Sequence, residues 1–351
     1  MSLSPIYGHD AVRNRLAGAV ASSRLPQVLL FEGPRGVGKQ RLALWLAQLL
    51  LCEHRAATTL EPCGACQPCR LVGALSHPDV HWFVPLELAK KGADADKQVE
   101  LVAEALAEEM TTRREQPLYE APGGLATHSM ASVRLLLRRL AVTPAMATRK
   151  VFIVGDAERL IPQRANPEAA NALLKALEEP PADTVFVLTA AEPEQLLPTI
   201  LSRVVRVRIP RLQDSVVTAF AQEKLSGTAV ALGSGVAAAE GCIGRLVAQA
   251  GDDAKAAKEA AAGFLSAARR RGHPRYATAL GQAPYQARGT FTAMLDALLD
   301  RLRAEARAGT GDTGRVVTAI AQVLAARDAA QGNVNPQLLT AVLAEDLALA
   351  R

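Results

Sequence analysis

The sequence is poor in aromatic side chains, short of cysteine and without a long apolar run. Aromatics make up 4% of its 351 residues, so the 49% that is hydrophobic is mostly aliphatic. Ala and Leu dominate, and both favour helix. The longest apolar run, Leu42 to Leu51, is interrupted by Gln48. It falls well short of the ~20 residues a helix needs to cross a bilayer, so no membrane partner is expected. The opening MSLSPIYGHD has neither the basic nor the apolar region of a secretion signal, and a cytoplasmic location is expected. Four of the five cysteines fall within residues 52–69. The fifth, Cys242, reads as a small buried apolar residue. The net charge of +5 suits a polyanionic partner and equally an ordinary solvated surface.

A single core stops growing near ~250 to 300 residues, so two or three domains are expected. Short β-rich runs at Gln27 to Phe31, Val80 to Phe83, Lys150 to Val154, Thr184 to Thr189 and Val204 to Ile209 alternate with helical stretches. That alternation predicts a parallel sheet covered by helices on both faces. After Pro210 only helical periodicity remains, as in Ser215 to Lys224, Ala254 to Arg271, Thr290 to Ala306 and Arg315 to Ala326. The expected division is an α/β domain over 1–210, a small helical domain over 211–252 and a larger all-helical one over 253–351. Residues 87–128 fit neither pattern. They open on the charged Lys90 to Lys97, pass a candidate helix at Val99 to Met110 and close on the breaker-rich Glu120 to Gly124, so a partly mobile insertion is expected.

Gly33-Pro-Arg-Gly-Val-Gly-Lys-Gln40 stands between a predicted strand and a predicted helix. In that setting the backbone N–H groups around Gly33, Gly36 and Gly38 and the helix N-terminus can cradle phosphate, with Lys39 reaching the terminal groups. What is missing is the Ser or Thr hydroxyl that would hold magnesium, since Gln40 occupies that position. Nucleotide binding is compatible with this loop; efficient hydrolysis is not. The buried strand Lys150 to Val154 leads to Asp156 in the metal-side position of a Walker B strand. Ala157 then stands where a water-activating Glu is wanted. Glu158 lies one residue further, which in an extended segment turns it to the opposite face.

Cys63-Gly-Ala-Cys66-Gln-Pro-Cys69 with Cys52 upstream reads as four thiolates around a structural zinc. An iron–sulfur run wants a fourth cysteine soon after Cys69, and a disulfide is disfavoured in the cytosol. His54 and His77 are reserve ligands.

Three further stretches follow one another: Ala170-Asn-Ala-Leu-Leu-Lys-Ala-Leu-Glu-Glu-Pro-Pro181, Thr184-Val-Phe-Val-Leu-Thr189 and Thr199-Ile-Leu-Ser-Arg-Val204. With the altered phosphate loop and the knuckle behind it, their order and spacing resemble the delta-prime family of bacterial clamp-loader subunits. The resemblance is dense from Ile6 to Ile209, apart from the insertion. It implies an α/β AAA+ P-loop module, a small helical lid domain and a C-terminal all-helical collar. It also implies a pentameric ring with gamma/tau and delta subunits that places a sliding clamp on primer-template DNA. In that family a Ser-Arg-Cys motif lends an arginine to ATP bound by the neighbour. Ser202, Arg203 and Val204 match it, so Arg203 is expected to act in trans; the bland alternative is that it caps the preceding helix, 192–201, or pairs with a local acid. Tyr7, Gly8 and His9 match a segment beside the adenine. Thr189 matches a sensor position, and Arg245 lies near a second one. Arg206 and Arg208 project from one strand face and, with Arg211 just beyond, form either a solvated or an intersubunit surface. The competing function is an active gamma/tau-type or other AAA+ ATPase, and a plain nucleic-acid binder is the second.

Overall fold

The computed structural model describes residues 6–55, 61–87, 94–118, 126–160, 167–225, 232–250, 252–270, 274–281, 290–309, 312–330 and 334–349. It forms two compact units, Met1–Ser226 with Ala239–Arg245, and Gly227–Ala238 with Leu246–Arg351. The first unit runs α1 (Asp10–Ala21), β1 (Val28–Glu32), α2 (Lys39–Leu51), α3 (Gln67–Gly73), β2 (Val80–Phe83), α4 (Ala95–Glu115), α5 (Met130–Leu140) and β3 (Lys150–Val154). It continues through α6 (Glu168–Glu178), β4 (Thr184–Ala190), α7 (Pro198–Leu201), β5 (Val205–Arg208) and α8 (Asp214–Lys224). After these come α9 (Leu232–Ala239), α10 (Ile243–Ala250), α11 (Asp252–Ala268), α12 (Pro274–Gly281), α13 (Thr290–Ala308), α14 (Thr313–Ala330) and α15 (Pro336–Leu349).

The five strands pair in the order β2-β3-β4-β1-β5, every neighbour parallel. All five were legible as β-rich runs, because a parallel strand buried on both faces is nearly all apolar. Thus every residue of β3 and β4 is buried. β5 is the edge: Val207 is buried while Arg206 and Arg208 are exposed, which keeps the open side charged. The rings of Phe83, Phe152 and Phe186 stack across β2, β3 and β4, with centroids 6.5 and 5.2 Å apart. The parallel sheet, its helical cover and the all-helical remainder fit an α/β AAA+ module with helical domains.

Two expectations need revision. Between Ala95 and Glu115 the insertion is not loose: it is a 21-residue helix. Val99, Val102 and Leu106, spaced three and four apart, are buried, and Arg138 of α5 pairs with Asp96. The alternating charges of its outer face obscured that stripe. Residues 88–93 and 119–125, which hold most of the charged opening and the breaker-rich close, lie outside the described residues. The expected helix over 192–201 is broken into a short 3-10 turn at Pro193–Gln195 and α7. Pro193 and Pro198 each start a new segment because neither has an N–H to continue the previous one.

In the second unit Phe264, Phe291, Leu295, Leu298, Leu299, Val323 and Leu343 form a continuous core. Among the described residues no helix is long and apolar enough to cross a membrane.

Candidate functional site

The loop between β1 and α2 is built on close backbone packing. A Cβ at Gly33 would stand 2.3 Å from the Ile209 carbonyl oxygen. Gly36 has φ +79° and lies against Gly244, whose N–H donates to the Gly36 carbonyl at 2.8 Å. Only glycine accommodates both demands. Gly38, also left-handed at φ 105°, is the N-cap of α2. Lys39 is 5% exposed, and its Nζ donates to the carbonyls of Gly33 (2.8 Å) and Pro34 (3.0 Å). The lysine therefore folds back onto its own loop. Burial lowers its pKa, while Asp156 and Glu158 act to raise it.

Gln40 Oε1 accepts from Arg113 Nη1 of α4 at 3.4 Å. Its carboxamide fills the space a side chain at Gly155 would need, with Nε2 only 2.8 Å from a Cβ built there. Thus the residue at the metal-hydroxyl position is a strut between α2, the end of β3 and α4. Arg113 is itself 1% exposed, held by Glu109 at 2.7 Å and lying 4.5 Å over the Trp82 ring. Sequence reasoning did not find Arg113, because only the fold brings it 73 positions back to Gln40.

Asp156 adopts a left-handed backbone at φ 49°, and its N–H donates to Thr189 Oγ1 at 3.0 Å. The structure thereby joins two residues singled out separately. The chain then enters a 3-10 turn, Ala157–Leu160, so the argument that Glu158 faces away in an extended segment does not hold. Glu158 shares the field of Lys39 and Asp156. Its Oε1 accepts from Ala191 N–H at 2.9 Å, and its buried Oε2 has no hydrogen-bond partner. Burial, then Asp156, raises its pKa, while the Ala191 N–H and Lys39 oppose the rise. Ala157, at the water-activating position, is fully buried and has nothing to offer.

The residues expected beside the adenine pack inward. His9 Nε2 lies 2.8 Å from the Val37 carbonyl, and Tyr7 meets the Phe220 ring edge-on at 5.1 Å. Arg245 and Arg211 share Glu240 Oε2, at 2.6 and 2.9 Å. Arg203 sits just after α7. Its Nε donates to Glu178 Oε1 at 2.7 Å, and its Nη1 donates to the Thr199 carbonyl (2.7 Å) and Ser202 Oγ (3.1 Å). Within this chain the arginine therefore both pairs with a local acid and caps α7. Arg206 pairs with Glu32 at 2.6 Å, and Cys242 is fully buried.

The knuckle follows α2, of which Cys52 is the C-cap. Sγ atoms of Cys52, Cys63, Cys66 and Cys69 all lie within 4.8 Å of one another. Tetrahedral thiolate ligation, with metal–sulfur bonds of about 2.3 Å, needs such spacing. N–H groups already point at the sulfurs, Cys63 to Cys52 and Cys66 to Cys63, both at 3.3 Å. The N–H groups of Cys66 and Ala65 pull the Cys63 thiol down to about 6. Glu61 anchors the entry to the knuckle, accepting from Arg13 (2.5 Å) and Trp45 Nε1 (2.7 Å). Four thiols so placed can hold a metal ion. His54 forms a separate group with Glu53 and Cys66, and His77 joins neither group.

The family described as DNA polymerase III, delta subunit, matches residues 8–213. The DNA polymerase III subunit delta' of Pseudomonas aeruginosa is 35% identical over 181 residues, covering 52% of this chain and 42% of that protein. The subunit delta' of Bacillus subtilis is 32% identical over 192 residues, covering 55% and 44%. The chain thus spans less than half the length of these relatives. A solved gamma subunit-related protein of Thermotoga maritima aligns over 97% of this chain and 99% of its own, at 16% identity and a TM-score of 0.46. With more than half of its residues matched, the chain belongs to the DNA polymerase III delta-prime family of clamp-loader subunits.

Proposed function

We propose that the chain is the non-hydrolysing, arginine-donating member of a replication clamp loader. It assembles with gamma/tau and delta subunits in a pentameric ring and helps place a sliding clamp on primer-template DNA in the cytoplasm. The observation that carries this reading is the state of the phosphate loop. Its glycines and lysine are all present, yet Lys39 is spent on the carbonyls of Gly33 and Pro34 and Gln40 on Arg113 and Gly155. The glycines serve the packing of 209 and 244 against the loop, which is reason enough to retain them. ATP or ADP binding at this loop is secondary to that role.

Arg203 acts on ATP held by the neighbouring subunit. A guanidinium offers fixed, permanently charged donors to phosphate oxygens as charge builds in phosphoryl transfer. To do so it exchanges Glu178 for phosphate, and Ser202 keeps it oriented. Zinc on Cys52, Cys63, Cys66 and Cys69 supplies a cross-link, since four protein ligands leave no open position for chemistry. Residues 211–252 form the lid domain, and 253–351 form the collar through which subunits associate.

One observation favours the competing reading, an active ATPase: the buried Oε2 of half-buried Glu158 has no hydrogen-bond partner and lies in the field of Lys39 and Asp156. ATP turnover by the purified chain separates the two. The proposal expects negligible turnover; robust magnesium-dependent turnover lost in both Lys39→Ala and Glu158→Gln establishes the rival. In the reconstituted ring, Arg203→Ala is expected to leave assembly intact and lower ATPase activity by ~10³, the low end for an arginine finger. Unchanged activity removes Arg203 from this role.

A further inference from the structure

Beside the four-cysteine cluster stands a second set of metal ligands. Glu53 and His54 follow Cys52 directly as the chain leaves α2; both are exposed, and the His54 N–H lies against the Cys52 sulfur. A carboxylate oxygen of Glu53, a ring nitrogen of His54 and the Cys66 sulfur all lie within 4.8 Å of one another. Four-coordinate zinc, with bonds of about 2.0 to 2.3 Å, holds its ligands roughly 3.3 to 3.8 Å apart. Two exposed side chains need only close slightly to reach that spacing. Cys66 is common to both sets and is fixed as the N-cap of α3.

The two sets differ in access and in ligand type. Cys52, Cys66 and Cys69 are 8%, 8% and 1% exposed, and Cys63 alone of the four stands in solvent. A metal centre needs an entry path as well as ligands. Four thiolates close the coordination sphere of zinc and hold it firmly. Glu53, His54 and Cys66 supply an oxygen, a nitrogen and a sulfur, which leaves the fourth position to water and makes the weaker site. Both solvent-facing ligands sit at the C-terminal end of α2, where the helix dipole favours a cation.

We propose that Glu53, His54 and Cys66 form a second, transient metal site through which zinc enters and leaves the knuckle. A hydrated ion exchanges waters for the Glu53 oxygen and the His54 nitrogen and bonds the Cys66 thiolate. It then trades Glu53, His54 and its last water for Cys52, Cys63 and Cys69 while Cys66 stays bound. No electron moves, and release is the same path reversed. The site rests on the reading that the four cysteines hold zinc, and not on the clamp-loader role.

Zinc extraction from the purified full chain by excess EDTA, followed by reloading of the stripped chain, tests it. A residue on the route changes both rates by one factor and leaves their ratio, the affinity, where it was. His54→Ala and Glu53→Gln should each slow extraction and reloading at least about tenfold, with zinc content and melting temperature unchanged. Unchanged rates mean that zinc passes by Cys63 alone and overturn the proposal. Faster extraction or a lower zinc content makes His54 a resident ligand or a structural support and overturns it as well. If the stripped chain does not reload, the extraction rates of the two variants decide by themselves. A wild-type chain purified without any zinc refutes the four-thiolate reading itself, and the route falls with it.

Discussion

His128 and His81 show how burial dominates the acid behaviour of single residues. His128 is 2% exposed and lies with Nε2 2.7 Å from the Gly155 carbonyl, at the strand end beside Gln40. Burial pushes its pKa down to about 4, and His81 goes to about 4 by burial and the nearby Arg139. Both groups are depressed below the unfolded value of about 6.5, so the unfolded chain takes up protons first as pH falls. Their contribution to stability is complete above about pH 6.5 and is lost on the way down to about 4. The urea midpoint should therefore fall across this window, and His128→Gln should flatten the slope. An unchanged slope in that variant means His128 is not responsible. Nothing in the sequence around His128 announces this, since a histidine in a breaker-rich segment reads as solvated.

At the scale of elements, the knuckle and α4 meet the P-loop helix in different ways. The knuckle was legible: cysteines two residues apart need only short turns to converge, so spacing fixes geometry. Gln48 of α2 donates to the Cys69 carbonyl at 3.0 Å, which links α2 directly to α3. Metal analysis after purification without added metal should give about one zinc per chain. Chelation should then lower the melting temperature and expose residues 52–69 to protease, with the far-ultraviolet spectrum of the sheet retained. Iron, or no metal, discards the four-thiolate zinc site. α4 was legible only as a short helix, Val99 to Met110. Its full length and its reach to Gln40 through Arg113 depend on a guanidinium crossing between elements distant in sequence.

For the whole molecule, the parallel sheet determines where the phosphate loop and its partners lie. Asp156, Thr189 and the phosphate loop converge because β1, β3 and β4 are neighbours and all three run in the same direction. Open α/β sheets place their sites at the carboxyl ends of strands for this reason. Phe152, fully buried between Phe83 and Phe186, holds three strands in that order. Phe152→Ala should cost ~3 to 5 kcal/mol by denaturant unfolding of the first unit. A loss below about 1 kcal/mol would falsify the view that this stack organises the sheet.

The sequence by itself determined the five strands, the phosphate loop with its missing hydroxyl, the cysteine cluster and the family, because each is written in local spacing. Tertiary structure alone decided the surroundings of those residues. It bound Gln40 to Arg113, turned Glu158 back toward Lys39, and paired Arg203 with Glu178. The physical reason is that a side chain's partner depends on distance in space and on a backbone turn such as the left-handed Asp156, neither of which a periodicity encodes.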